Sequence, residues 1–128
     1  MRVFAGLSAA FLAAAALSCA SPAGRHVKTA HTYEQMDNFP GAVAEWREAQ
    51  RLDPENAEAA KALQTNAERI RTASDACYLK GIEHYTNGKL DEAMDAWLDC
   101  LRLTPDNAKA GEYLKKARDK KKSIESYK

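Results

Sequence analysis

The sequence predicts an all-α protein built from two related helical modules, and three observations carry that expectation. The segment WREAQRLDPENAEA (Trp46 to Ala59) returns 51 residues later as WLDCLRLTPDNAKA (Trp97 to Ala110). Sliding the chain by that interval also aligns Ala30 with Gly81, Phe39 with Leu90, Ala42 with Ala93, Ala49 with Cys100 and Leu63 with Leu114. The matched positions are small or bulky-apolar at helical spacing, whereas the residues between them vary among charged types, the pattern of a duplicated packing scheme. Finally, Pro, Asn and Asp cluster where the periodic stretches meet, as helix ends require.

The chain opens with Arg2 and sixteen uncharged residues, VFAGLSAAFLAAAALS, before Cys19. A basic residue followed by an apolar run that ends in small residues reads as a secretory signal peptide over 1–18. The run is too short and too rich in Ala for a membrane-spanning helix, which needs about 20 apolar residues. AAALSCAS resembles the lipobox of bacterial lipoproteins, although Ala16 stands where that family usually has Leu. The resemblance implies acylation of Cys19 and a lipidated tether over 19–25; the other reading is an ordinary cleaved signal. A single acyl chain binds a membrane only marginally, so two or three would be needed for stable attachment. In that family Ala20, rather than Asp, after the Cys favours the outer membrane, with the protein facing the periplasm. Loss of Arg2 takes the formal charge from +1 to 0, which gives no bulk electrostatic case for nucleic acid.

The first module is expected over 26–72, the second over 73–122 with a basic C-terminal helix, and a tail over 123–128. Within the repeated segment, Leu52 and Leu103 close one apolar stripe. Asp53 and Thr104 then serve as N-caps, with Pro54 and Pro105 at the first helical position, where a missing N–H costs nothing. Upstream, YTNGKLDEA ends one helix with Gly88 as a left-handed cap and starts another near Asp91. QMDNFPGAV does the same in the earlier copy, with Pro40 in a first turn. Residues 55–87 form either one helix or two, with a break favoured near Thr72 to Asp75 and Ser74 as the cap.

Gly81, Tyr85, Gly88, Leu90, Ala93, Trp97, Leu101, Leu103, Pro105 and Asn107 together resemble the tetratricopeptide repeat, a 34-residue pair of antiparallel helices. The earlier unit matches through Ala30, Tyr33, Phe39, Ala42, Trp46, Ala49 and Pro54. The resemblance implies a short right-handed α-solenoid. The spacing of 51 adds a third helix to each hairpin, ENAEAAKALQTNAERIR in the first module and DNAKAGEYLKKARDKK in the second. Trp46 and Trp97 read as core knobs rather than as ligand-stacking residues. The resemblance also implies a partner-binding groove along the first helix of each hairpin: Lys28, His31 and Gln35 in the first unit, Tyr78, Ile82 and Tyr85 in the second. The alternative is that Tyr78, Ile82 and Tyr85 pack on Leu63 and Ile70. Family packing would also set Cys77 opposite Cys100, either as a disulfide in an oxidising compartment or as two buried thiols.

His26, His31 and His84 lack the spacing of a metal site, and no phosphate loop, nucleophile motif or paired carboxylates appear. Neither an enzyme nor a cofactor is expected. The run KKARDKKK (115–122) reads as a solvated helix face rather than a headgroup site. The expectation is therefore a membrane-anchored adaptor or assembly factor in a bacterial envelope complex, of pilus, secretion or outer-membrane assembly type. Its partners would be envelope proteins, and the membrane through its acyl chains. Self-association is a further expectation, because repeat folds usually need about three units. The competing reading is a lipoprotein that holds a small ligand or glycan in the same groove.

Overall fold

The computed structural model describes residues 21–127; the leader and Cys19 lie outside the described residues. Six helices and no strands are present among them: α1 (Pro22–Gln35), α2 (Phe39–Leu52), α3 (Ala57–Thr65), α4 (Ala67–Thr86), α5 (Leu90–Leu103) and α6 (Ala108–Ser126). Helices α1 and α2 form one antiparallel hairpin, α4 and α5 a second, and α6 closes the far side. The architecture is an all-α, tetratricopeptide-like helical solenoid.

The two hairpin turns are copies. Asp37 and Gly88, 51 residues apart, both adopt positive φ, +55° and +76°. In each turn that residue's N–H reaches back to the carbonyl three residues earlier, and the next N–H reaches back five: Asp37 to Glu34 and Asn38 to Tyr33, Gly88 to Tyr85 and Lys89 to His84. This paired closure satisfies the last carbonyls of a helix and needs a left-handed residue. Gly88 supplies it as its position in the sequence led one to expect, and Pro40 does fall in the first turn of α2.

The second joint differs from expectation. Asp53 and Thr104 are C-caps, not N-caps, and Pro54 and Pro105 lie in the turn rather than at a helical first position. The N–H of Asn56 donates to the Asp53 carbonyl and that of Asn107 to Thr104, each at 3.0 Å, closing a four-residue turn with Pro at its second place. The N-caps are the asparagines: Asn56 Oδ1 accepts from Ala59 N at 2.9 Å, and Asn107 Oδ1 from Ala110 N at 3.0 Å. Each helix therefore starts three residues later than the Pro position suggested.

The break expected near Thr72 to Asp75 falls instead at Asn66, the only residue between α3 and α4. There φ and ψ relax to −96° and 8°, and the Asn66 side chain donates to the Ala62 carbonyl at 2.9 Å, a local bond that competes with helix continuation. Ser74 caps nothing. It is buried inside α4, where its hydroxyl accepts from Asn107 Nδ2 at 3.4 Å and its carbonyl accepts from the Cys100 thiol at 3.5 Å. At the ends, α1 starts at Pro22 rather than 26, because Ser21 Oγ accepts from Gly24 N at 3.0 Å and Pro22 suits the first turn. Helix α6 runs on to Ser126, beyond the expected limit at 122.

Two large cores result, one for each hairpin, beside a small cluster of Ala23, Val27, Ala49 and Ala59. The first gathers Ala30, Phe39, Ala42, Val43, Trp46 and Ile70, with Leu63 against it. The second gathers Ala93, Trp97, Cys100, Ala110, Leu114 and Ala117. Leu103 belongs to the first core although it sits on α5, and Arg47 Nη2 donates to the Leu103 carbonyl at 2.7 Å, so the end of α5 fastens the two hairpins together. Leu52, its copy, is 40% exposed, so it does not close a buried stripe as expected.

Candidate interaction surface

The expected groove residues divide into two groups. Lys28, His31 and Gln35 are exposed on α1. Tyr78, Ile82 and Tyr85 are half-buried, and their packing partners are in the second core rather than Leu63 and Ile70. The ring of Tyr78 meets Tyr113 of α6 edge-on at 5.9 Å between centroids, Tyr85 lies 5.8 Å from Trp97, and Trp97 lies 5.4 Å from Tyr113. Lys120 and Lys116 cover this stack with their ammonium groups 4.8 Å above Tyr85 and 4.9 Å above Tyr113. The chain's own last helix thus occupies the aromatic face of the second hairpin.

The basic run of α6 is partly spent in the same docking. Lys121 pairs with Asp91 at the start of α5 at 2.5 Å.

On α1, His31 is a bridge rather than a free contact residue. Its Nδ1 bonds Glu34 and its Nε2 bonds Glu58 of α3, both at 2.7 Å. The Glu58 hydrogen bond, then that to Glu34, holds the imidazole above its ordinary pKa of 6.5. A raised folded value means that the bridge contributes fully below the unfolded pKa and fades as pH rises through the folded one. The gap in melting temperature between wild type and His31→Ala should therefore be widest near about pH 5.5 and shrink toward about pH 8.5. A gap that is flat or grows with pH would contradict this. The effect is small and salt-sensitive, because the histidine is half-exposed.

The sequence reading missed a trough of about 410 Å³ between α2 and α5. Its floor is apolar, formed by Ala44, Leu98, Leu101 and Pro105, and Arg47, Glu48, Arg51 and Arg102 stand along it. Arg51 is held by Glu48 and Arg102 by Asp99, at 2.5 and 2.6 Å. The Arg47 Nε is buried without a partner. One signal was available: Leu98 and Leu101 are apolar where the first copy carries Arg47 and Gln50, so the second module has apolar area that the duplicated packing scheme does not require. The Cys77 and Cys100 thiols are both free, Cys100 fully buried and Cys77 partly so. Among the described residues no cluster of His, Cys, Asp and Glu is arranged to hold a metal ion, and no helix is long and apolar enough to cross a membrane.

No curated protein matches the chain. Residues 74–107 match the tetratricopeptide repeat family. The matched stretch runs from buried Ser74 through the rest of α4 and all of α5 to the cap Asn107, so the chain is similar to that family across its second hairpin, a fold element that generally mediates contacts between proteins.

Proposed function

We propose that the protein is an adaptor or assembly factor of a bacterial envelope complex, anchored by acyl chains on Cys19 and binding a protein partner. The repeat match supports a protein partner in general, and the lipobox resemblance of AAALSCAS supports the anchor. With α1 beginning at Pro22, only Ala20 and Ser21 separate Cys19 from the first helix, so the domain would sit against the membrane. The observation that carries the binding reading is the α2/α5 trough. Leucine and proline on its floor with three arginines along it combine apolar area with guanidinium groups, and Arg is enriched in interface cores. It suits a partner segment that presents an apolar side chain beside carboxylates. The trough is open along its length, which favours a protein segment over an enclosed small ligand or glycan.

A photoreactive residue at Leu101 in the full-length chain, activated in intact cells, tests this directly. One specific envelope protein should be cross-linked, and the adduct should vanish when Arg51→Glu and Arg102→Glu are combined in a variant of unchanged helicity. An adduct formed from Gln35 but not from Leu101 would move the surface to α1, and recovery of a glycan or small molecule would favour the competing reading. Metabolic labelling with palmitate, lost with Cys19→Ser, checks the anchor separately.

A further inference from the structure

Cys77 and Cys100 meet where α4 and α5 come closest. The two helices run antiparallel with Gly81 directly against Trp97. One turn back along α4 from Gly81 is Cys77, and three residues on along α5 from Trp97 is Cys100, so the register sets the two sulfurs facing each other. The Cys100 S–H donates to the Ser74 carbonyl at 3.5 Å, and its thiol is near enough to Cys77 for each to shift the other's acidity.

Packing alone does not call for sulfur here. In the first hairpin the same two places hold His26 and Ala49. Ala49 is as fully buried as Cys100, so a methyl group satisfies the position. The sulfurs also differ in access. Cys77 opens into a cavity of about 260 Å³ shared with Lys80, His84, Asp95 and Asp99, whereas Cys100 has no exposed surface.

We propose that Cys77 and Cys100 form a dithiol–disulfide redox site, with Cys77 as the attacking sulfur and Cys100 as the resolving one, and with a low-molecular-weight disulfide as oxidant. The Cys77 thiolate attacks one sulfur of the oxidant; the oxidant's S–S bond breaks, and one of its halves leaves as a thiol carrying the Cys77 proton. Cys100 then attacks the Cys77 sulfur of the mixed disulfide. The second half leaves with the Cys100 proton. Two protein thiols are oxidised to one disulfide, and one small disulfide is reduced to two thiols. The asymmetry agrees with the acidities: the hydrogen bond from Cys100 holds the Cys77 thiol below the ordinary range, whereas that same bond and burial push Cys100 up. Oxidation would staple α4 to α5 inside the hairpin that matches the repeat family. The proposal stands independently of the partner surface on α2 and α5.

Oxidised glutathione is the probe, applied to the folded full-length chain and followed by trypsin digestion. Wild type should yield peptide 72–80 disulfide-linked to peptide 90–102, a link that dithiothreitol removes. Cys100→Ser should stop at one glutathione on Cys77. Cys77→Ser should be modified at Cys100 about tenfold or more slowly than Cys100→Ser is at Cys77. Peptide mapping keeps Cys19 separate, and circular dichroism confirms that both variants are helical. Absence of the linked peptide from wild type overturns the pairing without appeal to any variant. Equal modification of the two single-cysteine variants, or none at Cys77, overturns the assigned roles.

Discussion

Gly81→Ala is expected to destabilise the fold by about 3 kcal/mol, near the top of the range for overpacking. A Cβ at Gly81 would lie 2.5 Å from Trp97 Cε2 and 2.7 Å from Cδ1, and the indole, fully buried, has nowhere to retreat. Either α4 and α5 separate or Trp97 leaves its rotamer, and both loosen the second core. Helix propensity works the other way, because Ala is favoured over Gly inside a helix by roughly 0.5–1 kcal/mol. Gly111→Ala isolates that opposing effect: Gly111 is inside α6, and a Cβ there meets nothing within 4 Å. It should stabilise by about the propensity difference. Urea unfolding of both variants therefore gives opposite signs for the same chemical change. A Gly81→Ala protein as stable as wild type would mean that α4 and α5 are not held as close as the structure has them.

The reason the repeat could be read so far from sequence is visible in the same pair. Ala30 and Gly81, Trp46 and Trp97, Asp37 and Gly88 each have one stereochemical task, and few residue types perform it. The hinge was harder, because its residues suit two geometries. Pro54 fits either the first turn of a helix or the second place of a β-turn, and Asp53 or Asn56 makes a good cap. The choice is visible only in the bond from Ala59 N to Asn56 Oδ1. Ser74 misled for a related reason: a serine inside a helix reads as a cap unless its distant partners, Cys100 and Asn107, are known.

The interaction surface was the least legible part. That Tyr78 and Tyr85 are covered depends on where α6 docks, and the sequence of α6 is dominated by lysines that suggest solvent. Ala110, Leu114 and Ala117 seat that helix in the second core, Tyr113 adds its ring, and Lys116 and Lys120 join it by lying over rings. The trough between α2 and α5 needs the two modules placed side by side, which Leu103 and Arg47 accomplish across 56 residues of chain. Periodicity identifies a buried stripe within one helix. It does not identify which exposed residues of separate helices become neighbours.

Trp97→Ala carries the largest expected cost, about 3–5 kcal/mol, the range for a large aromatic removed from a close-packed core. Trp46→Ala falls in the same range, since both indoles are almost completely buried, but the consequences should spread differently. Trp46 belongs to a core shared by α1, α2, α4 and the end of α5. Trp97 supports Tyr85 on one side and Tyr113 on the other, so its loss also removes the ring contact that docks α6. Amide exchange should therefore rise along α6 in Trp97→Ala while α1 keeps its protection, and the reverse pattern should follow Trp46→Ala. Trp97→Phe is the informative control. The indole Nε1 of Trp97 has no hydrogen-bond partner, so phenylalanine gives up ring area without stranding a polar group. It should cost clearly less than alanine and leave α6 protected. Equal loss of protection across all six helices in both alanine variants would show instead that the two cores unfold as one unit, with Leu103 and Arg47 coupling them more tightly than their own contacts with each Trp imply.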